Sequence, residues 1–205
     1  KAFISSLFES GCRISELGNL RIKNVVFDQY GTIIIVNGKT GMRRVRLIDS
    51  TPYLANWIEN HPFRDEPDKP LWVSTNKKRS SICYGTIRKM LNETATKAGI
   101  KKRINPHLFR HSRSTINANF LTEAQINNYF GWVQGSRMPS VYVHLSGRDI
   151  DATIINMHSP NQKVAINKAS ESNFEPKCCP RCMNSNPATS KYCNRCGAML
   201  ELIDF

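Results

Sequence analysis

The chain has 205 residues, 40% of them hydrophobic, which suits one globular domain plus a small appendage and excludes a disordered chain. Lys and Arg number 29 against 16 Asp and Glu, a formal charge of +13, and so large an excess favours a polyanionic partner, of which nucleic acid is the commonest. No apolar run is long enough for a transmembrane helix and no signal peptide is visible, so the expectation is an intracellular protein without a membrane partner.

Residues 1–20 read as two helices broken at Gly11. Phe3, Ile4, Leu7 and Phe8 have helical spacing, and Ser15 is the expected N-cap of the second helix. Because that spacing starts at Lys1, the chain reads as a fragment lacking an N-terminal part. Residues 32–48, TIIIVNGKTGMRRVRLI, predict a β-hairpin: the first arm is β-branched, NGKTG supplies turn residues, and Val45 and Leu47 alternate with Arg44 and Arg46. STPYLANWIEN predicts a helix capped by Ser50, HPFRDEPDKP a proline-rich loop and LWVS a short strand. From Tyr84 to Ala98, Ile87, Leu91 and Ala98 recur at helical intervals, and Gly99 ends the run.

Asn105-Pro106 pairs a cap with a proline at the first helical position and opens a helix through HLFRHSRSTINANF. Thr122 heads a capping box with Gln125 for another helix, which stops at Gly131. Pro139 opens a short helix carrying Tyr142, and DIDATIINMH is a further helix with Ile150, Ile154 and Met157 on one face. Residues 159–177 lose the apolar period and read as a linker. Only one of the thirteen net positive charges falls on residues 178–205, so the DNA-facing charge belongs to residues 1–177.

Tyr142, between Val141 and Val143, poses the chemical question. A phenol is a weak nucleophile at neutral pH unless a neighbour accepts its proton or stabilises the charge that forms. If the electrophile is a phosphodiester, guanidinium groups answer best, because their planar fork donates two bonds to one phosphate and keeps its charge. Arg110 and His107 lie three positions apart near a helix N-terminus and share a face suited to an anion. Arg13 follows Gly11 at a helix junction, with Glu16 three residues on, Lys39 tips the hairpin and Trp132 follows a helix-ending glycine. Taken singly, each is more often a surface charge, an ion pair or core filler.

Their order and spacing are more specific. SGCRISEL resembles the first arginine box of the tyrosine recombinases, the phage integrase family, with its TGxRxxEL pattern, and HLFRHSRST resembles the second, HxLRHxxAT. FGW followed by YVHL resembles the closing segments, and the hairpin lysine lies between the boxes as in the family. The resemblance covers residues 1–158 and implies an α+β fold: a mostly helical catalytic domain with a small antiparallel sheet.

It also implies roles. Arg13 and Arg110 would clamp the scissile phosphate, Glu16 would hold the first box, and Lys39 would protonate the leaving 5′ hydroxyl. His107 would act as acid/base or phosphate contact, and Tyr142 would form a 3′-phosphotyrosyl link. Trp132 stands where most members carry histidine; indole NH donates a hydrogen bond but cannot shuttle a proton. His111 and His144 sit in family-like positions and are read as structural, directed away from Arg110 and Tyr142 respectively. The stretch GWVQGSRMPSVYVHLSGRDID looks especially like archaeal integrases.

Five of seven cysteines lie in the last 28 residues. Cys179-x2-Cys182 and Cys193-x2-Cys196 have the spacing of a four-thiolate metal site, and YCNRCGAML resembles half of a zinc ribbon. So short a segment buries little core, so structural zinc would supply most of its folding free energy; rubredoxin-like iron is the lesser alternative.

The expectation is therefore a site-specific DNA recombinase with three parts: catalytic residues 1–158, a linker at 159–177 and a zinc ribbon at 178–205. It would act on double-stranded DNA as a synaptic tetramer, in the cytoplasm of a prokaryote or the host of an archaeal virus or plasmid, with neither metal nor ATP for strand transfer. The alternatives are a topoisomerase of similar chemistry and a DNA-binding module that no longer cuts, with the ribbon as its protein contact.

Overall fold

The computed structural model describes residues 1–76, 79–146 and 176–200. The predicted helix at DIDATIINMH and nearly all of the predicted linker lie outside the described residues.

Helices α1 (Ala2–Ser10) and α2 (Ile14–Gly18) are separated at Gly11, and a 3₁₀ turn, Ile22–Asn24, leads into strand β1 (Val25–Asp28). The expected hairpin is β2 (Gly31–Gly38) and β3 (Gly41–Leu47), closed by a two-residue turn at Lys39 and Thr40. Then come α3 (Thr51–Glu59), α4 (Tyr84–Lys97), α5 (Pro106–Ala118), α6 (Glu123–Phe130) and α7 (Met138–Ser146). The fold is mostly helical around one small antiparallel sheet, as expected.

Four local expectations need correction. Ser15 caps nothing: Arg13 stands at the N-cap of α2, and its backbone NH donates to the Glu16 carboxylate at 2.8 Å. Ser50 stands at the N-cap of α3, but its hydroxyl donates at 2.5 Å to buried Glu9. That carboxylate also accepts the backbone NH groups of Ile48, Asp49 and Ser50, so a side chain from α1 covers the start of α3. Among the described residues LWVS forms no ladder, its segment contributing only the isolated bridges Arg21–Pro70 and Val73–Ser81. Conversely, Val25–Asp28 is an unforeseen edge strand, paired to β2 from Val25–Ile34 to Asp28–Gly31.

Period-two alternation turns Thr32, Ile34 and Val36 of β2 inward, with Val45 and Leu47 of β3 beside them. They meet Leu7, Leu17, Leu54, Leu71, Trp72, Ile87 and Leu91 in the main core. The buried indole of Trp72 donates to the Leu17 carbonyl at 2.8 Å, so burying its polar edge leaves no orphan donor.

A second cluster forms at the other end of α5 from Ala118, Ile126, Phe130 and Tyr142, with Leu121, Tyr129 and Trp132 against it. The helix starts that frame it follow the sequence. Asn105 accepts from Leu108 NH at 3.2 Å, and Thr122 and Gln125 satisfy each other's backbone NH groups.

The cysteine-rich segment holds β4 (Lys177–Cys178) and β5 (Ser185–Asn186) as a two-stranded ribbon, with a further bridge from Tyr192 to Met199.

Candidate active site and cysteine cluster

The site is organised around one buried carboxylate. Glu16 pairs with Arg13, Nη1 to Oε1 at 2.8 Å, and with buried Arg43, Nη2 to Oε2 at 2.7 Å. Burial alone would push the Glu16 carboxyl up, but hydrogen bonds from Arg43 and Arg13 outweigh it and hold the group at about 2. Arg43 was not anticipated, although its signal was present: it is two residues before Val45, and strand alternation puts it on the same inward face. Its Nε donates to the Tyr129 carbonyl at 2.9 Å, so one guanidinium joins the hairpin, the first arginine box and the end of α6.

Two glycines make that junction geometrically possible. A Cβ on Gly38 would lie 2.2 Å from Glu16 Oε1, and one on Gly131, at φ +60°, 2.9 Å from both Arg43 Nη1 and Thr40 Oγ1. The Thr40 hydroxyl donates to the Gly131 carbonyl at 3.1 Å. The hairpin tip is thereby tied to the residue preceding Trp132, with Lys39 exposed beside the tie.

Arg110 is buried, its Nη1 donating to the Gly11 carbonyl at 3.0 Å and its Nη2 to Phe130 at 2.7 Å. Burial first, and the charge of Arg13 second, lower its pKa to about 10, which leaves it cationic at neutral pH. Its guanidinium lies over Phe130 and Trp132, 5.1 and 5.5 Å from the ring centroids. Trp132 in turn stacks on Tyr142, centroids 5.5 Å apart and planes within 8°. Arg13 and Arg43 thus clasp a single carboxylate, Arg110 feels its charge, and an aromatic stack connects Arg110 to the tyrosine.

Tyr142 is 3% exposed. Burial raises its pKa, against the opposing pull of Arg110 and the Ser114 hydroxyl. Its hydroxyl meets His111 Nδ1 at 2.5 Å. This contact was missed: His111 was read as structural from its neighbour Arg110 alone, but it faces a residue 31 positions away on α7. The His144 side chain lies outside what is described. His107 is exposed, whereas Arg110 on the same predicted face is buried; the His107 ring lies 6.4 Å from that of His111. The structure therefore brings together Arg13, Glu16, Arg110, Trp132 and Tyr142. Lys39 and His107 make no side-chain hydrogen bond to them among the described residues.

In the cysteine-rich segment, Cys179, Cys182, Cys193 and Cys196 place their sulfurs within 4.8 Å of one another. Two pairs, Cys179–Cys196 and Cys182–Cys193, stand at 3.6 Å. Four thiolates about 2.3 Å from a tetrahedral ion lie roughly 3.8 Å apart, so the donor set fits a structural metal of zinc type. Among the described residues no helix is long and apolar enough to cross a membrane.

Comparison with known proteins agrees with this architecture. Residues 1–148 match the phage integrase family model. The tyrosine recombinase XerC of Lactobacillus leichmannii is 30% identical over 169 residues, 80% of this chain and 52% of that protein. The crystal structure of XerA recombinase superposes with a TM-score of 0.59 at 25% identity, over 78% of this chain and 56% of that one. XerH site-specific recombinase, in a post-cleavage complex with palindromic difH substrate, shares the fold at a TM-score of 0.57 and 21% identity, over 77% of this chain and 44% of that one. The chain spans about half the length of such curated relatives. With the family model covering most of its length and the arginine boxes and tyrosine assembled at one site, the chain belongs to the phage integrase family of tyrosine recombinases.

Proposed function

We propose that this chain is the strand-cutting unit of a site-specific DNA recombinase, with Tyr142 as nucleophile. One observation carries the reading: the tyrosine is stacked through Trp132 onto Arg110, whose neighbour Arg13 shares the same carboxylate-centred cluster. Arg13 and Arg110 clamp the scissile phosphate and neutralise charge gathering on its non-bridging oxygens. Glu16, braced by Arg43, fixes Arg13. Trp132 aligns the tyrosine and offers its indole NH to phosphate. Lys39 protonates the departing 5′ oxygen, and His107 contacts phosphate from the start of α5.

The Tyr142 oxygen bonds to phosphorus as the P–O5′ bond breaks, giving a 3′-phosphotyrosyl link. That link conserves the phosphodiester's free energy, so attack by a 5′ hydroxyl reverses it without ATP. Rejoining to a new strand gives recombination. Double-stranded DNA as substrate is supported by the +12 charge on residues 1–177 and by the Tn1549 transposon integrase, a neighbour in fold solved in complex with circular intermediate DNA. A tetramer on synapsed DNA and a cytoplasmic, nucleoid-associated location in a prokaryote follow from the same reading. The catalytic unit is residues 1–158, the linker 159–177 and the ribbon 178–205. Cys179, Cys182, Cys193 and Cys196 hold a structural zinc.

The test uses a duplex selected from a random-sequence library by binding to this chain, nicked so that the cleaved fragment diffuses away. Wild type yields a protein–DNA adduct on a denaturing gel and Tyr142→Phe yields none. Full binding without adduct from wild type overturns the proposal in favour of a non-cleaving DNA-binding module.

A further inference from the structure

We propose that His111 is the general base that takes the proton from Tyr142, which adds a catalytic residue to the recombinase reading above and rests on it. The geometry begins with the hydroxyl itself, whose oxygen lies 2.5 Å from His111 Nδ1. The rings are 5.8 Å apart and tilted by 37°, so the contact is edge-on through the nitrogen and not a stack. With the phenol donating, Nδ1 carries the lone pair and Nε2 the proton, the tautomer a base requires.

The surroundings assign His111 this work and no other group. Tyr142 is buried on an aromatic face, in a setting that favours its protonated form, so attack requires a proton acceptor at hand. Arg110, the charged group on α5 whose field acts on the phenol, is a donor only. The Ser114 hydroxyl, buried with no other partner among the described residues, stays neutral at any working pH. On the α6 side the neighbour is Trp132, again only a donor. His107 is one helical turn from His111, its ring 6.4 Å away, and among the described residues it makes no hydrogen bond to Tyr142. His111 is exposed, so a proton accepted at Nδ1 is matched by release from Nε2 to water.

The step balances. The phenol proton moves to Nδ1, the tyrosine oxygen bonds to phosphorus, and the P–O5′ electron pair leaves with the 5′ oxygen, protonated by Lys39. On rejoining, His111 returns a proton to the phenolate.

The test measures single-turnover adduct formation on the nicked duplex described above. His111→Ala is expected to be about 100-fold slower or more, with DNA binding retained. Added imidazole is expected to restore the rate in proportion to its concentration, and to do nothing for Tyr142→Phe. His111→Gln, which keeps a hydrogen-bond acceptor but no basic nitrogen, stays slow. In the free protein, nitrogen NMR is expected to find neutral His111 protonated at Nε2. An adduct formed by His111→Ala at or above the wild-type rate overturns the inference, the faster case meaning that the bond only restrains the tyrosine. So does a slowed variant that imidazole leaves unchanged or that His111→Gln repairs, since either means positioning alone. Absence of adduct from wild type overturns the recombinase reading, and this inference with it.

Discussion

The helical unit and the cysteine ribbon reach order by opposite routes. In the first, Leu7, Leu17, Ile34, Val36, Val45 and Leu54 are wholly buried, and the charged site rests on that core. In the second, Cys179, Cys193 and Asn186 are buried, while Met183, Tyr192 and Met199 are exposed, so apolar burial contributes little. The two regions should therefore fail under different insults: the helical unit through its packing and its buried Glu16 cluster, the ribbon through its four clustered cysteines.

The largest expected effect separates them outright. Stripping metal from the full chain with a strong chelator should unfold the ribbon, because a structural zinc site of this type contributes roughly 10–16 kcal/mol of apparent folding free energy. The melting transition of residues 1–146 should stay in place. Metal analysis should return one zinc per chain, and Cys193→Ser should reproduce the chelated state. Ribbon NMR signals that stay dispersed in metal-free protein would refute the metal as its organiser.

Within the helical unit, the sharpest break is at the buried pair. Arg43→Ala should destabilise by about 3–5 kcal/mol, because it leaves Glu16 buried with one partner fewer. At about 2–4 °C per kcal/mol, the melting temperature should fall by roughly 10 °C. The pH dependence tests the same link. Glu16 is depressed to about 2 from an ordinary value near 4.5, so its contribution is full above that ordinary value and is lost as pH falls toward 2. That depression corresponds to about 3 kcal/mol. Arg43→Ala should flatten this acid limb, and an unchanged slope would mean that Arg13 alone sets the Glu16 charge.

How much of this was legible follows from which interactions are local. The caps at Asn105 and Thr122, the hairpin turn, the C-terminal glycines and the paired cysteines declare themselves within a few residues, and they stand as expected. Most departures are long-range, the exception being Ser15, displaced locally by Arg13 and Glu16. Ser50 caps poorly because Glu9, 41 residues earlier, takes its hydroxyl. LWVS reads as a strand but among the described residues finds no partner with which to form a ladder. Arg43 is legible by parity with Val45, on the face opposite Arg44 and Arg46. His111 was not legible, because nothing in FRHS announces that α5 and α7 bring a ring nitrogen to Tyr142. The order of the arginine boxes and tyrosine points to the candidate site, and tertiary packing shows which side chains brace it.

The smallest expected effect on stability is at Lys39, and there stability and chemistry should part company most cleanly. The side chain is exposed at the hairpin turn, while the tip is held independently by Thr40 on Gly131 and by Arg43 on Tyr129. Lys39→Ala should therefore leave the melting temperature and the acid limb almost unchanged, within about 0.5 kcal/mol. Adduct formation on the nicked duplex should nevertheless slow by about 100-fold or more, because an alkoxide leaves poorly without a proton. Replacing the bridging 5′ oxygen with sulfur should restore the variant, since a thiolate departs unprotonated. If the sulfur substrate gains nothing in Lys39→Ala, the lysine serves to hold DNA and the leaving-group proton comes from elsewhere. Arg43→Ala makes the matching control: its defect lies in the brace, so sulfur substitution should not rescue it. A brace and a proton donor four residues apart on one hairpin would then be distinguished by chemistry as well as by stability.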